Sequence, residues 1–288
     1  MSEIKQISVL GSGIMGHGIA QVAAQVGKYD VTLYDIEQGL IDKGLVLIRK
    51  SLQNLVVKGQ ISGEEMAVIM KRIRGTSDMS AAVSEADLVI EAVTESAPVK
   101  KELFQKIDRY IKSDTIVSTN TSAISITELA SVMNQPQNFC GLHFFNPPQI
   151  IKLVEVIRGA RTSSDAIQII MNVAQRMGKE PVYVKKDSPG FIVNRILMPA
   201  LNEAVELYSE GVADRDDIDK AIKLGLNWPV GPLMLIDYIG VDTTLAIAQV
   251  LEREMGSKFR PSDVLKRMVQ AKKLGKKTAE GFYDWAQK

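Results

Sequence analysis

Two histidines and one cysteine in 288 residues leave this chain poor in the side chains that bind metals or form covalent intermediates. Cys140 alone cannot close an intrachain disulfide, and there is no His/Cys cluster from which a zinc site is built, so no metal is expected. An excess of either charge is lacking too, since 35 Lys and Arg against 34 Asp and Glu give a formal net charge of +1. Nucleic acid and membrane surfaces are therefore not expected as main partners. No uninterrupted apolar run approaches the roughly 20 residues of a membrane span. The start Met1-Ser2-Glu3-Ile4-Lys5 lacks the basic-then-apolar layout of a secretory signal. These absences predict a soluble cytoplasmic protein, and the length suffices for two domains with a well-buried core.

What is present begins with Ile7-Ser8-Val9-Leu10-Gly11-Ser12-Gly13-Ile14-Met15-Gly16. A short apolar run feeds a Gly-x-Gly-x-x-Gly turn. A helix follows through Ile19, Ala20, Val22, Ala23 and Val26, and a second run, Val31-Thr32-Leu33-Tyr34, ends at Asp35. That order predicts a dinucleotide site in which Gly11 makes the tight turn, Gly13 admits a pyrophosphate to the backbone, and Gly16 lets helix and strand approach. Asp35 is expected to accept hydrogen bonds from the adenosine ribose. Its charge repels a 2′-phosphate and Ile36 offers no arginine to hold one, so NAD is expected over NADP. An ordinary strand-turn-helix is the competing account of the glycines, and the strand-end acid weighs against it.

Residues from about 38 to 72 read as two helices, the first carrying Leu45, Ile48, Leu52, Leu55 and Val56, the second opened by a Ser62-x-x-Glu65 capping box. Alternation then resumes with a strand at Leu88-Val89-Ile90, a helix from Val99 to Ile111, a strand from Thr115 to Val117 and a helix capped by Ser125 and Glu128. Strands over 139–144 and 153–157, a helix over 165–177 and a strand over 181–184 complete the pattern. Short apolar strands separated by helices imply a mostly parallel sheet covered on both faces. The expected architecture is an α/β Rossmann-type NAD-binding domain with an inserted helical hairpin, residues 1–186, followed by an all-α C-terminal domain, residues 187–288. In that second part Leu201, Val205, Ile247 and Leu251 spread over more than one helix face. A small domain is not expected to bury them all, which predicts a homodimer through it.

His143 is the main candidate for chemistry. It ends a strand in Cys140-Gly141-Leu142-His143-Phe144-Phe145-Asn146-Pro147-Pro148, and ligands of open parallel sheets sit beyond the carboxyl ends of strands. An alcohol-oxidising site needs a base that works near neutrality, and imidazole is the side chain that titrates there. Cys140, three positions earlier, falls on the opposite strand face, so a Cys-His nucleophilic pair is not expected. His17, just inside the glycine-turn helix, either faces solvent or packs beside the cofactor. Ser118-Thr119-Asn120-Thr121-Ser122 follows another strand and supplies hydroxyl and amide groups that can orient substrate and cofactor; a polar turn capping the next helix is the competing account, a task that Ser125 already fills. Glu155, inside the apolar run Leu153-Val154-Glu155-Val156-Ile157, is a carboxylate that burial obliges to find a partner such as an imidazole.

The stretches Gly11 to Gly16, Asn120-Thr121-Ser122, His143 to Pro148, Val154-Glu155-Val156 and Asp187-Ser188-Pro189-Gly190-Phe191-Ile192-Val193-Asn194-Arg195 resemble, in this order, the 3-hydroxyacyl-CoA dehydrogenase family, most closely its bacterial 3-hydroxybutyryl-CoA members. The resemblance runs nearly the whole length. It implies His143 as catalytic base, Glu155 as its orienting acid, and Ser122 and Asn194 as substrate contacts, with NAD as cofactor. It adds Glu95, Lys100 and Lys277 to the cofactor contacts, along with Asn120, Ser122 and Asn146, beside Ser12, Ile14 and Met15 of the glycine turn. It also implies coenzyme A against Ser51 and Lys58, which lie seven positions apart and so share a helix face. A solvated charged face accounts equally well for Lys58. Thr119 and Ala123 stand where the family often has serines, and Thr94-Glu95-Ser96-Ala97-Pro98 also departs from it.

The implied reaction is the reversible oxidation of a (S)-3-hydroxyacyl-CoA in a cleft between the two domains. Two other readings are a gulonate-type sugar-acid dehydrogenase using the same residues without the carrier, and a non-catalytic NAD-binding protein. The full set Ser122, His143, Glu155 and Asn194 argues against the last.

Overall fold

The apolar runs of the first part become neighbouring strands of one sheet in a computed structural model that describes residues 3–286. The strands are β1 (Gln6–Leu10), β2 (Asp30–Tyr34), β3 (Ile73–Thr76), β4 (Leu88–Glu91), β5 (Ile116–Thr119), β6 (Phe139–Phe144), β7 (Leu153–Ile157) and β8 (Glu180–Val184). Their spatial order is β3-β2-β1-β4-β5-β6-β7-β8. Neighbours run parallel except β6 and β7, which are antiparallel. Because the chain moves outward from β1 to β3 and then returns to place β4 on the other side of β1, a crevice opens where the order reverses. That is where doubly wound sheets bind ligands.

Helices cover the sheet, which is why β4 and β6 are buried at every position and are apolar but for Glu91 and His143. They are α1 (Ile14–Gln25), α2 (Gln38–Val57), α3 (Gly63–Lys71), α4 (Met79–Val83), α5 (Ala97–Ile107), α6 (Ile126–Ala130) and α7 (Ser164–Arg176). The inserted hairpin is α2 and α3, and α2 buries Ile41, Ile48 and Leu52 at helical spacing. Ser62 caps α3 in a full capping box, accepting from Glu65 N at 3.0 Å while Glu65 Oε2 accepts from Ser62 N at 2.7 Å.

The expectation that the hairpin leads straight to the strand at Leu88 is corrected by β3 and α4. Ile73-Arg74-Gly75-Thr76 has a single buried apolar residue, so it carries no run that periodicity can detect. It pairs as an edge strand, and Arg74 Nε donates to Thr32 Oγ1 on β2 at 2.8 Å.

The chain divides into two compact units, Met1–Asp187 and Ser188–Lys288. Asp187, assigned to the second domain from sequence, falls in the first unit, where its Oδ2 accepts from Ser125 Oγ at 2.6 Å and Thr127 N at 2.8 Å. The second unit is helical, with α8 (Val193–Ser209), α9 (Arg215–Gly225), α10 (Pro232–Ile239), α11 (Val241–Met255) and α12 (Asp263–Gln270). Two buried carboxylates tie its end down. Asp219 accepts from Leu233 N (2.8 Å), Met234 N (3.0 Å) and the Tyr283 hydroxyl (2.8 Å). Asp237 accepts from Phe282 N (2.9 Å), Tyr283 N (2.8 Å) and Trp285 Nε1 (2.9 Å).

Leu201, Val205, Ile247 and Leu251 also depart from expectation. Leu201, Val205 and Leu251 are buried in the unit's own core and Ile247 packs against it, because α10 and α12, unread in the sequence, complete the cluster. The most exposed large apolar side chains of the unit are instead Ile196, Val212, Leu224 and Leu226. Among the described residues no single helix is long and apolar enough to cross a membrane. The pair α10 and α11 reaches the length only jointly, bends by 97°, and contributes Leu233, Ile236 and Leu245 to that core.

Candidate active site

The antiparallel register of β6 and β7 sets His143 opposite Glu155. Directly opposed residues project from the same face of a sheet, and the side chains meet there, His143 Nδ1 lying 2.8 Å from Glu155 Oε2. Both are almost sealed, at 4% and 1% exposure. A carboxylate accepts, so Nδ1 carries the proton in this pair and the lone pair of the neutral ring falls on Nε2. Phe145 packs against the imidazole with ring centroids 4.5 Å apart. Cys140 lies on the same strand, fully buried, and burial pushes its thiol up to about 12, which removes the thiolate that nucleophilic chemistry needs.

The turn after β5 is fixed from two sides. Glu95 Oε1 accepts from Thr121 Oγ1 at 2.6 Å, Ser122 N at 2.7 Å and Ala123 N at 3.3 Å. Asn120 Oδ1 accepts from Phe144 N at 2.8 Å, which ties the turn to the strand end next to His143. The structure therefore brings Asn120, Ser122, His143 and Glu155 to one region of the sheet, and Asn146 stands exposed just after β6.

The glycine turn lies at the mouth of the crevice. Gly11 has φ +101° and a Cβ there would meet Ala92 O at 2.6 Å, so only glycine fits between β1 and the end of β4. A Cβ at Gly13 would meet nothing within 4 Å, and its backbone is extended. Nothing in the chain demands glycine at 13. The space its missing side chain leaves, at the open amide end of α1, suits a pyrophosphate. Asp35 is held to the turn, its Oδ2 accepting from Ser12 N (2.8 Å) and Ser12 Oγ (2.7 Å), its Oδ1 from Ile36 N (2.8 Å). A cleft of about 730 Å³ opens beside them, lined by Gly11, Gly13, Asp35, Ile36, Val99 and Leu103. Lys106 also lines it, with its ammonium on Glu102 at 2.7 Å. The residues present fit an adenine dinucleotide. His17 bonds the Gly13 carbonyl through Nδ1 at 2.7 Å.

The other residues named from the sequence have the following surroundings. Lys100 is 1% exposed and its ammonium sits 2.6 Å from Glu91 Oε1 and 3.3 Å from Glu95 Oε2, inside the fold. Burial pushes the Glu91 carboxyl above its ordinary value, while Lys100, Thr119 and the Val93 amide pull the other way. Glu91 escapes a reading by residue type, although an acid closing an apolar strand, like Asp35, is the signal that marks it. Ser51 is half-buried on α2, and Lys58 is exposed at its end. Asn194 is buried in the first turn of α8, and Lys277 pairs with Asp242, both in the second unit. Among the described residues no group of three His, Cys, Asp or Glu is placed to hold a metal ion.

Known proteins resemble the chain along its length. The family model of the 3-hydroxyacyl-CoA dehydrogenase NAD binding domain matches residues 6–188, and that of the 3-hydroxyacyl-CoA dehydrogenase C-terminal domain matches residues 190–285. A 3-hydroxybutyryl-CoA dehydrogenase of Clostridioides difficile is 46% identical over 97% of this chain and 99% of its own. A probable 3-hydroxybutyryl-CoA dehydrogenase of Deinococcus radiodurans is 45% identical over 97% of this chain and 100% of its own. The crystal structure of a (S)-3-hydroxybutyryl-CoA dehydrogenase from Ralstonia eutropha superposes with a TM-score of 0.93 at 40% identity, covering 99% of this chain and 100% of that one. Both halves of one family are thus matched in order from the first strand to the final aromatic residues, and the chain belongs to the 3-hydroxyacyl-CoA dehydrogenases, NAD-dependent oxidoreductases.

Proposed function

We propose that the protein interconverts a short (S)-3-hydroxyacyl-CoA, of which 3-hydroxybutyryl-CoA is the expected member, and the corresponding 3-oxoacyl-CoA. The observation that carries the mechanism is the 2.8 Å contact between His143 Nδ1 and Glu155. With Nδ1 so engaged, His143 Nε2 takes the substrate hydroxyl proton, and Glu155 stabilises the imidazolium that results. Bound NAD supplies the acceptor for the hydride released from C3. In the reverse direction the imidazolium returns the proton to the carbonyl oxygen. Ser122 holds the reacting oxygen, on a turn fixed by Glu95 and Asn120. Asn194 is assigned to the acyl part of the substrate and Lys277 to the cofactor.

The carrier is assigned to the α2–α3 hairpin. Val46, Leu47 and Val57 stay exposed there, with Lys58 next in sequence, a surface with apolar area and a cation that suits a nucleotide-ended thioester and has no use for a free sugar acid. Ser51 and Lys58 are its proposed contacts. A homodimer through the second unit is supported by exposed Ile196, Val212, Leu224 and Leu226. The cytoplasm is the proposed compartment, on the strength of one buried thiol in the whole chain.

The test is spectrophotometric. NADH absorbance should fall on addition of acetoacetyl-CoA, much faster than with NADPH, and free acetoacetate or gulonate should leave it unchanged. Equal rates with gulonate would replace the thioester reading by the sugar-acid one.

A further inference from the structure

Glu91, the buried partner of Lys100, is left without a task by the reaction described above. Glu91 closes β4 and has no exposed surface. Its Oε1 accepts from Val93 N at 2.7 Å and from Lys100 Nζ at 2.6 Å, and its Oε2 accepts from Thr119 Oγ1, its neighbour in register on β5, at 2.6 Å. Burying such a pair costs solvation that its attraction repays only with good geometry, and apolar residues would fill the same space without that cost. The hydrogen bonds run on from both partners. Thr119 Oγ1 accepts from Thr121 N at 3.3 Å. Lys100 Nζ reaches Glu95 Oε2 at 3.3 Å, and the other oxygen of Glu95 accepts from Thr121 Oγ1, Ser122 N and Ala123 N. The two arms leave one carboxylate and rejoin on the same turn.

We propose that Glu91 is a positioning residue for the reaction, anchoring the Thr121–Ser122 turn through Thr119 on one side and through Lys100 and Glu95 on the other. Lys100 then serves the turn from within the fold. This rests on the reading of Ser122 as a substrate contact. A root in the buried side chains Glu91, Lys100 and Thr119 holds the turn more firmly than backbone alone, because a charge-assisted bond among them is lost only at the expense of leaving its partner buried and unpaired, while the exposed Glu95 carries one arm to the turn.

Hydrogen exchange and kinetics test it together in Glu91→Gln and Thr119→Val. The Ser122 and Ala123 amides should exchange about tenfold faster or more, and kcat per NADH-binding site should fall about tenfold, the worth of one charge-assisted bond. NADH affinity should stay nearly unchanged, and Thr119→Ser, which keeps the hydroxyl, should behave as wild type. In a Ser122→Ala background the Glu91 substitution should add little. Unchanged exchange overturns the proposal. So does full additivity with Ser122→Ala, or a loss of NADH affinity with kcat preserved, which would move Lys100 into the dinucleotide site. Should Glu91→Gln fail to fold, Thr119→Val gives the same readouts. If exchange accelerates while Ser122→Ala turns over normally, the role given to Ser122 fails and the anchoring stands.

Discussion

Each unit of the molecule buries a pair of carboxylates, and they differ in whether a basic side chain is among their partners. In the first, Glu91 and Glu155 meet basic side chains, the Lys100 ammonium and the His143 imidazole. In the second, Asp219 and Asp237 meet backbone amides, a tyrosine hydroxyl and an indole N–H. Such neutral donors carry no charge at neutral pH, so an acid held by them fastens one segment to another. An acid opposite a base keeps charge inside the fold, where it can hold or accompany a proton. With the proposed roles of Glu155 and Glu91, the contrast predicts that substitution in each unit should lose a different property.

The largest effect is expected at the base. His143→Ala should lower turnover by about 10²- to 10⁴-fold, with NADH binding and melting temperature little changed. Near-normal steady-state rates would remove His143 from the mechanism. Next, Asp237→Asn should destabilise the protein by about 3 kcal/mol, since an amide cannot accept all three bonds, measured as a lower urea midpoint with full specific activity in the molecules that remain folded. A loss of kcat without a loss of stability would erase the distinction between the units. Glu155→Gln should do the reverse, cutting kcat about tenfold and shifting its pH profile while leaving the urea midpoint in place. An unmoved pH profile would make Glu155 another fastening acid.

A smaller, pH-dependent effect marks the second unit. Burial, then the hydrogen bond and charge of Asp219, push the Tyr283 phenol above its ordinary value of 10.0. The folded protein therefore holds that proton more tightly than the unfolded chain. The contribution to stability is complete below pH 10.0 and is lost as the pH rises through the folded value. Stability measured by denaturant titration should decline above pH 10, and Tyr283→Phe should flatten the decline. An identical slope in the variant would show that other groups cause it.

Of the four acids only Glu155 is legible in the order of residues alone, while much of the fold around it is. Strong signals are local: β6, β7 and α11 are continuous apolar or periodic runs, and Ser62 with Glu65 marks where α3 starts. The meeting of His143 with Glu155 can be anticipated because a carboxylate in an apolar strand must find a donor. What stays hidden depends on tertiary context. β3 is a strand only because β2 offers it an edge. Leu201 and Leu251 look surplus until α10 and α12 are in place to cover them. Glu91 looks like the polar end of a short strand, and only the parallel register with Thr119 reveals its partners.

The one antiparallel pairing in the sheet has a consequence for evolution of the chain. His143 and Glu155 come from strands joined by residues 145–152 alone, so the pair is assembled within a single stretch of sequence rather than from distant parts. Insertions beyond Pro148 in that connection would leave both the register and the neighbours of His143 untouched. A single residue gained or lost inside β7 would turn Glu155 to the opposite face, and with it swap the whole strand inside out. The length of the two short strands should therefore tolerate less change than the end of the loop that joins them, and lengthened variants of the enzyme should carry their extra residues between Pro148 and Lys152.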